Sequence, residues 1–139
     1  MNLGIFVDAS AWIAVSDVRG KYHEAARQMQ LRLVTEKRLL ITTNLVIAES
    51  YVMIYRTGGV QVALRFLELQ RSSTLVQRVY SDAMIELQAE NILHQYSDQD
   101  FSFADAVSFA VMRQLGINEA FTFDHHFATA GFATLPATA

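Results

Sequence analysis

The sequence has no cysteine among its 139 residues. Disulfide frameworks and zinc sites built on thiolates are therefore excluded, and the absence fits a reducing cytosol. Proline is scarce too, because the single one, Pro136, lies near the end of the chain. With six glycines and no linker rich in proline, glycine or serine, no position stands out as a domain boundary. We expect one domain over residues 1–139.

Long apolar runs are also missing. The most apolar opening stretch, residues 3–15, contains Asp8 and is too short to cross a bilayer. It lacks the basic segment that precedes the apolar part of a secretory signal. We therefore expect no membrane partner and a cytoplasmic location. The composition, with 52% hydrophobic and 18% charged residues, is typical of a folded domain.

Positive charge is nearly absent from the second half of the chain. Residues 81–139 contain one basic residue, Arg113, and eight acidic ones, whereas residues 1–80 contain ten basic and six acidic residues. Such segregation often places a basic surface beside an acidic patch. Ordinary solvated helix faces are the simpler explanation on charge alone. The asymmetry becomes informative only if the acidic residues converge on one site.

Short apolar segments alternate with longer helical patterns along the chain. We predict strands at residues 3–7, 39–43, 75–80 and 119–123, with a weaker one at 132–135. Helices are predicted at residues 11–16, 22–37, 45–57, 60–71, 82–95 and 103–115. This alternation predicts an α/β fold with a mostly parallel sheet.

Two aspartates directly follow predicted strands. Asp8 comes after residues 3–7, and Asp124 comes after residues 119–123. Open parallel sheets bind ligands beyond the carboxyl ends of their strands, so the two aspartates would meet at one edge if their strands are neighbours. Each also has a structural explanation. Asp8 or Ser10 suits the N-cap of the next helix, and Asp124 suits the cap of a short helix after it.

Glu49 is a third acidic residue in an unusual position. It lies in the predicted helix 45–57, and its neighbours three and four residues away are all apolar: Leu45, Val46, Val52 and Met53. A carboxylate within a buried apolar stripe is unfavourable unless a partner or a cation compensates its charge. We therefore expect Glu49 to belong to a site. The alternative is a carboxylate that reaches from the helix face into solvent.

Asp105 is the fourth acidic residue of interest. It follows Ser102 by three positions, which is the spacing of a capping box, and the helix dipole favours an acid in the first turn whatever its function. The helix 103–115 is apolar on almost every side, which predicts that it is buried. These observations leave both capping and catalysis open for Asp105.

Together the four acids indicate a cation. Asp8, Glu49, Asp105 and Asp124 would repel one another in a single crevice unless a positive charge lay between them. Hard divalent cations that prefer oxygen ligands and retain water, Mg²⁺ or Mn²⁺, fit this requirement.

The histidines point to a different kind of metal site. His125 and His126 directly follow Asp124, and Asp-His-His looks like a set of transition-metal ligands. Adjacent side chains on a helix point about 100° apart, so we predict that the two imidazoles cannot both bind one ion beside Asp124. His23 and His94 have no partner at ligand spacing. We expect no zinc or iron site.

Four stretches, in this order and spacing, carry a family resemblance: FVDASAWIAV, TTNLVIAES, FSFADAVSFAVM and AFTFDHHF. They resemble the four acidic motifs of PIN-domain ribonucleases, above all the single-domain toxins of VapC type, over nearly the whole chain. The resemblance implies a PIN-like α/β/α sandwich with a mostly parallel central sheet of four to five strands. It also implies an endoribonuclease dependent on Mg²⁺ or Mn²⁺, a 5′-phosphate and a 3′-hydroxyl as products, a small cognate antitoxin and a homodimer.

The resemblance assigns roles to individual positions. Asp8, Glu49, Asp105 and Asp124 match the acidic quartet, with Asp8 and Asp105 anchoring the cation and the other two completing its shell or ordering water. Ser10 matches a small polar residue of the first motif and is a minor candidate. Position 9 is alanine where many relatives have threonine, which puts a hydroxyl role there in doubt. Another minor candidate is Asp100, near the third motif, although a solvated loop explains it more simply.

Basic and apolar residues of the first half suggest surfaces for RNA and for a second subunit. Residues that could flank an RNA groove are Lys21, Arg56, Arg65, Arg71 and Arg78, and solubility is the simpler role for each. Contact of RNA with one of the two adjacent histidines stays open. A dimer surface is suggested by Val52, Tyr55, Val62 and Phe66, all of which could instead be core.

Three other functions share parts of this pattern. A PIN-like domain without catalysis, binding RNA or protein, is the main alternative, and the intact quartet argues against it. A phosphohydrolase with an aspartate nucleophile usually has a second aspartate two positions on, where this chain has Ser10. A scaffold domain predicts acids scattered over the surface.

Overall fold

The computed structural model describes residues 4–137, so Leu3 of the first predicted strand and the two ends of the predicted domain lie outside the described residues. Five strands form one sheet in the order β3-β2-β1-β4-β5, and all neighbouring pairs are parallel. The strands are β1 (Gly4–Val7), β2 (Leu39–Thr43), β3 (Val76–Val79), β4 (Glu119–Phe121) and β5 (Ala133–Leu135). The predicted α/β class and its five strands, including the weak last one, are confirmed.

Six helices connect these strands: α1 (Ala9–Ser16), α2 (His23–Thr35), α3 (Asn44–Ser72), α4 (Ala83–Gln95), α5 (Phe103–Leu115) and α6 (His126–Thr129). The helices predicted at 45–57 and 60–71 are two arms of α3, separated by a kink at Gly59. The first helix begins at residue 9 rather than 11, because Asp8 caps it. Among residues 4–137, no helix combines the length and the apolarity that crossing a bilayer requires.

The strand order reverses beside β1. The chain moves from β1 to β2 and β3 on one side, and then returns across the sheet to β4 and β5 on the other. Because parallel crossovers are right-handed, connections that run in opposite directions lie on opposite faces. The helices α1, α2 and α3 therefore cover one face, and α4 and α5 cover the other. This produces the predicted sandwich and puts a crevice at the carboxyl ends of β1 and β4.

The core is built around strand β1, whose four residues are all buried. Large apolar side chains from both faces are almost completely inaccessible to solvent, among them Phe6, Phe109, Phe121 and Phe127. The ring of Phe109 packs edge-on against that of Phe127, with centroids 4.9 Å apart. Each such side chain contributes roughly 1.5–3 kcal/mol through its removal from water. This packing fixes the strand ends that carry the acidic residues.

Gly59 is the residue that divides α3. Its backbone angles, φ 87° and ψ 175°, lie in a region that is essentially restricted to glycine. A methyl group at this position would meet no other atom within 4 Å, so the requirement for glycine is conformational and not steric. The kink lets one helix segment become two arms.

Gly59→Ala is expected to lower the free energy of unfolding by about 1–3 kcal/mol, which is the strain of placing a side chain in this conformation. The change is measured by urea denaturation. Gln61→Ala, an exposed position two residues on, is the matched control and should lie within about 0.5 kcal/mol of the wild type. Equal stability of the two variants would contradict the role of Gly59.

Candidate active site

The carboxyl ends of β1 and β4 meet as the sequence predicts. Val7 pairs with Phe121 in the parallel ladder, and the Asp8 amide donates a hydrogen bond to the Phe121 carbonyl at 3.1 Å. Asp8 follows β1 directly, and Asp124 lies three residues beyond the end of β4. Both aspartates therefore emerge at the same edge, in the crevice where the strand order reverses.

Asp8 is a buried carboxylate with several hydrogen-bond donors. Only 5% of the residue is exposed. Its Oδ2 accepts hydrogen bonds from the Ser10 hydroxyl at 2.8 Å, the Thr122 hydroxyl at 3.0 Å and the Ser10 amide at 3.3 Å. Burial raises the pKa of Asp8, hydrogen bonds from Ser10, the Ala9 amide and Thr122 counteract the rise, and the charge of Asp105 adds to it. Asp8 is also the N-cap of α1.

The two hydroxyl groups connect Asp8 to the end of the fourth strand. The Ser10 hydroxyl accepts a hydrogen bond from the Phe123 amide at 2.9 Å, and the Thr122 hydroxyl accepts one from the Asp124 amide at 3.0 Å. A hydroxyl has one proton to donate, so each hydroxyl donates its hydrogen bond to Asp8 and accepts a hydrogen bond from a backbone amide. The minor candidate Ser10 therefore contacts the site. Thr122 was not predicted. It lies two positions before Asp124, just as Ser10 lies two positions after Asp8, and this polar residue beside a strand-end aspartate is the signal that could have identified it.

Asp105 both caps a helix and contacts the crevice. The predicted capping box is present: the Asp105 amide donates to the Ser102 hydroxyl, and the Ser102 amide donates to Asp105 Oδ2 at 3.1 Å. The same Oδ2 lies 2.9 Å from His126 Nδ1, and the residue is only 8% exposed. Helix α5 is buried over most of its first three turns, as its composition indicated.

His126 joins three acidic residues. Its Nδ1 lies 2.9 Å from Asp105 and 3.4 Å from Asp124, while its Nε2 lies 2.9 Å from Asp100. Its withdrawal from water lowers its pKa, but the hydrogen bonds with Asp105 and Asp100 and the charge of Asp124 outweigh this and raise the pKa overall. An imidazole that donates from both nitrogens is protonated. Asp100 is a solvated residue, 91% exposed at its side chain, whose pKa is lowered by His126.

The prediction about the adjacent histidines used incorrect geometry. His125 precedes the short helix α6 and His126 begins it, and their ring centroids are 4.6 Å apart. Asp124, His125 and His126 each offer one ligand atom, and these atoms all lie within 4.8 Å of one another. The two imidazoles therefore do converge. Both nitrogens of His126 are within hydrogen-bond distance of carboxylates, and a ring nitrogen that donates its proton in such a bond has no lone pair for a metal ion.

The expectation that Glu49 lies in a buried apolar stripe is wrong. Glu49 is exposed on α3, and its neighbours Val52 and Met53 are 44% and 38% exposed. Val46, which is also a neighbour of Glu49, is buried in the core on the same arm, so the apolar residues around Glu49 lie on different sides of the helix and their pattern does not report its burial. Its carboxyl group nevertheless belongs to the crevice: partial shielding from water raises the pKa of Glu49, and the charges of Asp8, Asp105 and Asp124 raise it further.

The four predicted acids therefore share one electrostatic environment. Among residues 4–137, no lysine or arginine forms an ion pair with any of them. Within the same range, no three of their carboxylates come as close together as the Asp124–His125–His126 set. Oxygen donors, excess negative charge and open spacing suit a hydrated divalent cation. The fold and this crevice define an α/β protein with a group of acidic side chains at the carboxyl edge of a parallel sheet, able to hold a divalent cation.

Comparison with known proteins identifies the family. The model of the PIN domain matches residues 5–133, so the chain belongs to the PIN-domain family. It is 34% identical over 128 residues to the 23S rRNA-specific endonuclease VapC20 of Mycobacterium tuberculosis, in strains CDC 1551 and H37Rv, covering 92% of this chain and 95% of that protein. The crystal structure of M. tuberculosis VapC20, described as a sarcin–ricin loop cleaving toxin, superposes with a TM-score of 0.83 at 35% identity, covering 93% and 96% of the two chains.

These likenesses confirm the predicted PIN-like sandwich and the predicted class, an endoribonuclease toxin, and they do not support the catalytically silent alternative. Nucleases of this family generally depend on a divalent metal ion, and the crevice contains acidic groups able to hold one. The roles of the individual residues stay predictions.

Asp8→Asn is expected to stabilise the fold at about pH 7 without metal. Because the pKa of Asp8 is raised in the folded state, its contribution to stability is complete below the ordinary carboxyl pKa of about 4 and is lost as the pH rises through the folded pKa. An uncharged amide does not suffer this loss. Urea denaturation in EDTA at about pH 7 and pH 4 should show a gain that shrinks at the lower pH. The exposed Asp98→Asn is the control. A gain that grows at acid pH would contradict this assignment.

Proposed function

We propose that this endoribonuclease hydrolyses phosphodiester bonds with Asp8, Glu49, Asp105 and Asp124 and a bound Mg²⁺ or Mn²⁺. The observation that carries the proposal is geometric: Asp8 and Asp124 follow the paired strands β1 and β4, and His126 Nδ1 lies 2.9 Å from Asp105 and 3.4 Å from Asp124. Partial burial raises the pKa of Glu49, and the charges of the other three acids raise it further. Carboxylates from four separate parts of the chain are gathered without a compensating lysine or arginine ion pair among the described residues. A hard divalent cation supplies the missing positive charge.

The four acidic residues differ in burial, and we assign their roles accordingly. Asp8 and Asp105 are buried and held by hydrogen bonds, so they suit fixed ligands of the cation. Asp124 is positioned by its own bond from the His126 amide at 2.9 Å and helps to complete the shell. When bound, the cation lowers the pKa of a coordinated water and neutralises charge that develops on the phosphate.

Glu49 suits the handling of the attacking water. It lies at the exposed rim of the crevice, and its raised pKa makes it a better proton acceptor than an ordinary glutamate. Water attacks phosphorus, the bond from phosphorus to the 3′ oxygen breaks, and a proton is delivered to that oxygen. The products are a 5′-phosphate and a 3′-hydroxyl.

The substrate we propose is a structured loop of ribosomal RNA. This rests on the relative described as a 23S rRNA-specific endonuclease and on the solved structure of a sarcin–ricin loop cleaving toxin. We further propose a cytoplasmic toxin that is inhibited by a small cognate antitoxin. Expression of the wild-type chain alone in bacteria would arrest growth, because cleaved ribosomal RNA stops translation.

Asp8→Asn and Asp105→Asn are each expected to lower the rate of RNA cleavage at least about 100-fold, since metal-ion stabilisation contributes several kcal/mol and each 1.36 kcal/mol is a factor of ten. Asparagine keeps the shape and one oxygen acceptor of each side chain. Cleavage of a labelled RNA hairpin is measured with Mg²⁺ or Mn²⁺ and after removal of metal with EDTA.

The matched control for these variants is Asp98→Asn, an exposed acid outside the crevice, which should cleave at the wild-type rate. Circular dichroism checks that each variant is folded. Metal-dependent cleavage that persists in both the Asp8 and the Asp105 variants would overturn the assignment of the site.

The two arms of α3 support a homodimer. Val52, Tyr55 and Val62 are 44%, 50% and 38% exposed, and Val60 and Leu64 on the second arm are 44% and 42% exposed. Exposed apolar side chains concentrated on one helix are typical of protein interfaces. Phe66, the fourth residue considered for this surface, is only 6% exposed and belongs to the core.

Tyr55→Asp is expected to shift the protein from dimer to monomer, because a charge at the centre of an apolar interface is left unpaired when it is buried. Light scattering coupled to size-exclusion chromatography measures the mass. Leu87→Asp replaces a residue of similar exposure, 52%, on α4, away from this surface, and should leave the mass unchanged. A dimer that survives Tyr55→Asp would exclude α3 as the contact.

A further inference from the structure

An aromatic pair lies immediately beside the acidic crevice. The ring of Tyr22 stacks on the ring of Phe123, with centroids 4.6 Å apart and an angle of 15° between the planes. Phe123 directly precedes Asp124, and its amide is hydrogen-bonded to the Ser10 hydroxyl that contacts Asp8. The pair of Tyr22 and Phe123, called the aromatic platform below, is therefore connected to the crevice through one hydroxyl group.

The aromatic platform is exposed on its Tyr22 side. Tyr22 is 43% exposed, whereas Phe123 is half-buried and leans against Phe121 of β4. The Tyr22 hydroxyl forms no hydrogen bond with any described residue, so the residue contributes its ring and not its polar group. The Lys21 Nζ lies 5.0 Å over the Tyr22 ring on an exposed side chain, so the face of the ring away from Phe123 is available to a further planar group when this side chain moves aside.

The segment that carries Tyr22 is fixed in place. His23 Nδ1 lies 2.9 Å from the Ala14 carbonyl of α1, and the His23 amide donates to the Gly20 carbonyl at 3.1 Å. The Gly20 amide in turn donates to the Asp17 carbonyl at 2.9 Å. These bonds tie the loop between α1 and α2 to both helices. A ring held in this way needs little further ordering when it binds a partner.

Charge explains what kind of contact the crevice needs. Its four carboxylates carry more negative charge than one divalent cation neutralises, so the electrostatic attraction that usually provides much of the affinity for RNA phosphates is weakened close to the scissile bond. Stacking of a base on an aromatic ring does not depend on a favourable charge and contributes about 1–3 kcal/mol per base. One cation is close to the platform: Lys21 Nζ lies 5.0 Å from the centre of the Tyr22 ring, on an exposed and flexible side chain.

We propose that the aromatic platform binds an unpaired nucleobase of the RNA next to the scissile phosphate, with Tyr22 as the stacking surface and Lys21 as a contact to a neighbouring phosphate. The inference rests on the proposed function and adds a determinant of specificity. It makes the enzyme prefer RNA in which a base near the cleavage point is free of its helix. Recognition of single-stranded loops through stacked bases is the common mode for RNA.

The experiment measures binding and cleavage of two RNAs: a hairpin with an unpaired loop, and a fully paired duplex of similar length. Binding is measured by fluorescence anisotropy in the Asp8→Asn background, where the RNA stays intact. Tyr22→Leu is the main variant, because leucine keeps apolar packing on Phe123 but has no ring. Tyr22→Phe and Tyr22→Trp keep a ring, and Val18→Ala changes an exposed apolar residue of the same loop, 73% exposed.

We expect Tyr22→Leu to weaken hairpin binding about tenfold, the equivalent of about 1.4 kcal/mol, and to leave duplex binding within about twofold. Tyr22→Phe, Tyr22→Trp and Val18→Ala should bind the hairpin like the parent. In the active protein, Tyr22→Leu should raise KM for the hairpin with little change in kcat. Tyr22→Ala serves as a second ringless variant, and thermal melting checks that both are folded.

Several outcomes would overturn the platform. The first is hairpin binding by Tyr22→Leu as tight as that of the parent, and the second is an equal loss of affinity for hairpin and duplex. The third is a variant that keeps its RNA affinity but loses inhibition by the antitoxin, which would make Tyr22 a protein contact. The proposed function fails in a different way, through cleavage that persists in the Asp8 and Asp105 variants. The two failures are therefore distinguishable.

Discussion

The hydrogen bonds that converge on Asp8 connect the two halves of the molecule. β1 and β4 come from opposite ends of the chain, and their side-by-side position is set by the buried aromatic core. At their carboxyl ends, Asp8 accepts hydrogen bonds from the hydroxyl groups of Ser10 and Thr122. The oxygens of these hydroxyls in turn accept hydrogen bonds from the backbone amides of Phe123 and Asp124. A buried carboxylate with so many donors is tolerated where an unbonded one would not be. The same bonds orient the loop that carries the fourth acid.

The acidic crevice opposes the stability of the fold. The pKa values of Asp8 and Glu49 are raised, which means that burial and mutual repulsion work against their charged forms in the folded protein. His126 partly offsets this by lying among Asp100, Asp105 and Asp124. A positive charge that binds among the four acids therefore stabilises the folded protein. Functional sites commonly hold like charges close together in this way.

Local patterns in the sequence predicted the fold well because this sheet is parallel. Its strands are short apolar runs covered on both faces, and the two aspartates at the ends of β1 and β4 mark its edge. The capping box of Ser102 and Asp105 was equally visible. The exposure of Glu49 was not predictable from its apolar neighbours, because Val46 packs into the core whereas Val52 and Met53 on the same arm of α3 are exposed. The role of His126 depends on its contacts with Asp105 and Asp100, more than twenty positions away, which no local pattern contains.

The double role of Asp105 has a consequence for how such a protein loses its activity in growing cells. Replacing this residue by alanine removes the side-chain acceptor that completes the capping box with Ser102, together with a member of the crevice, and a less stable chain is a better target for proteases. Loss of the charge at Asp8 instead relieves repulsion and leaves the chain folded. The two substitutions are therefore expected to have opposite effects on abundance: the first favours removal of the protein, and the second favours its retention.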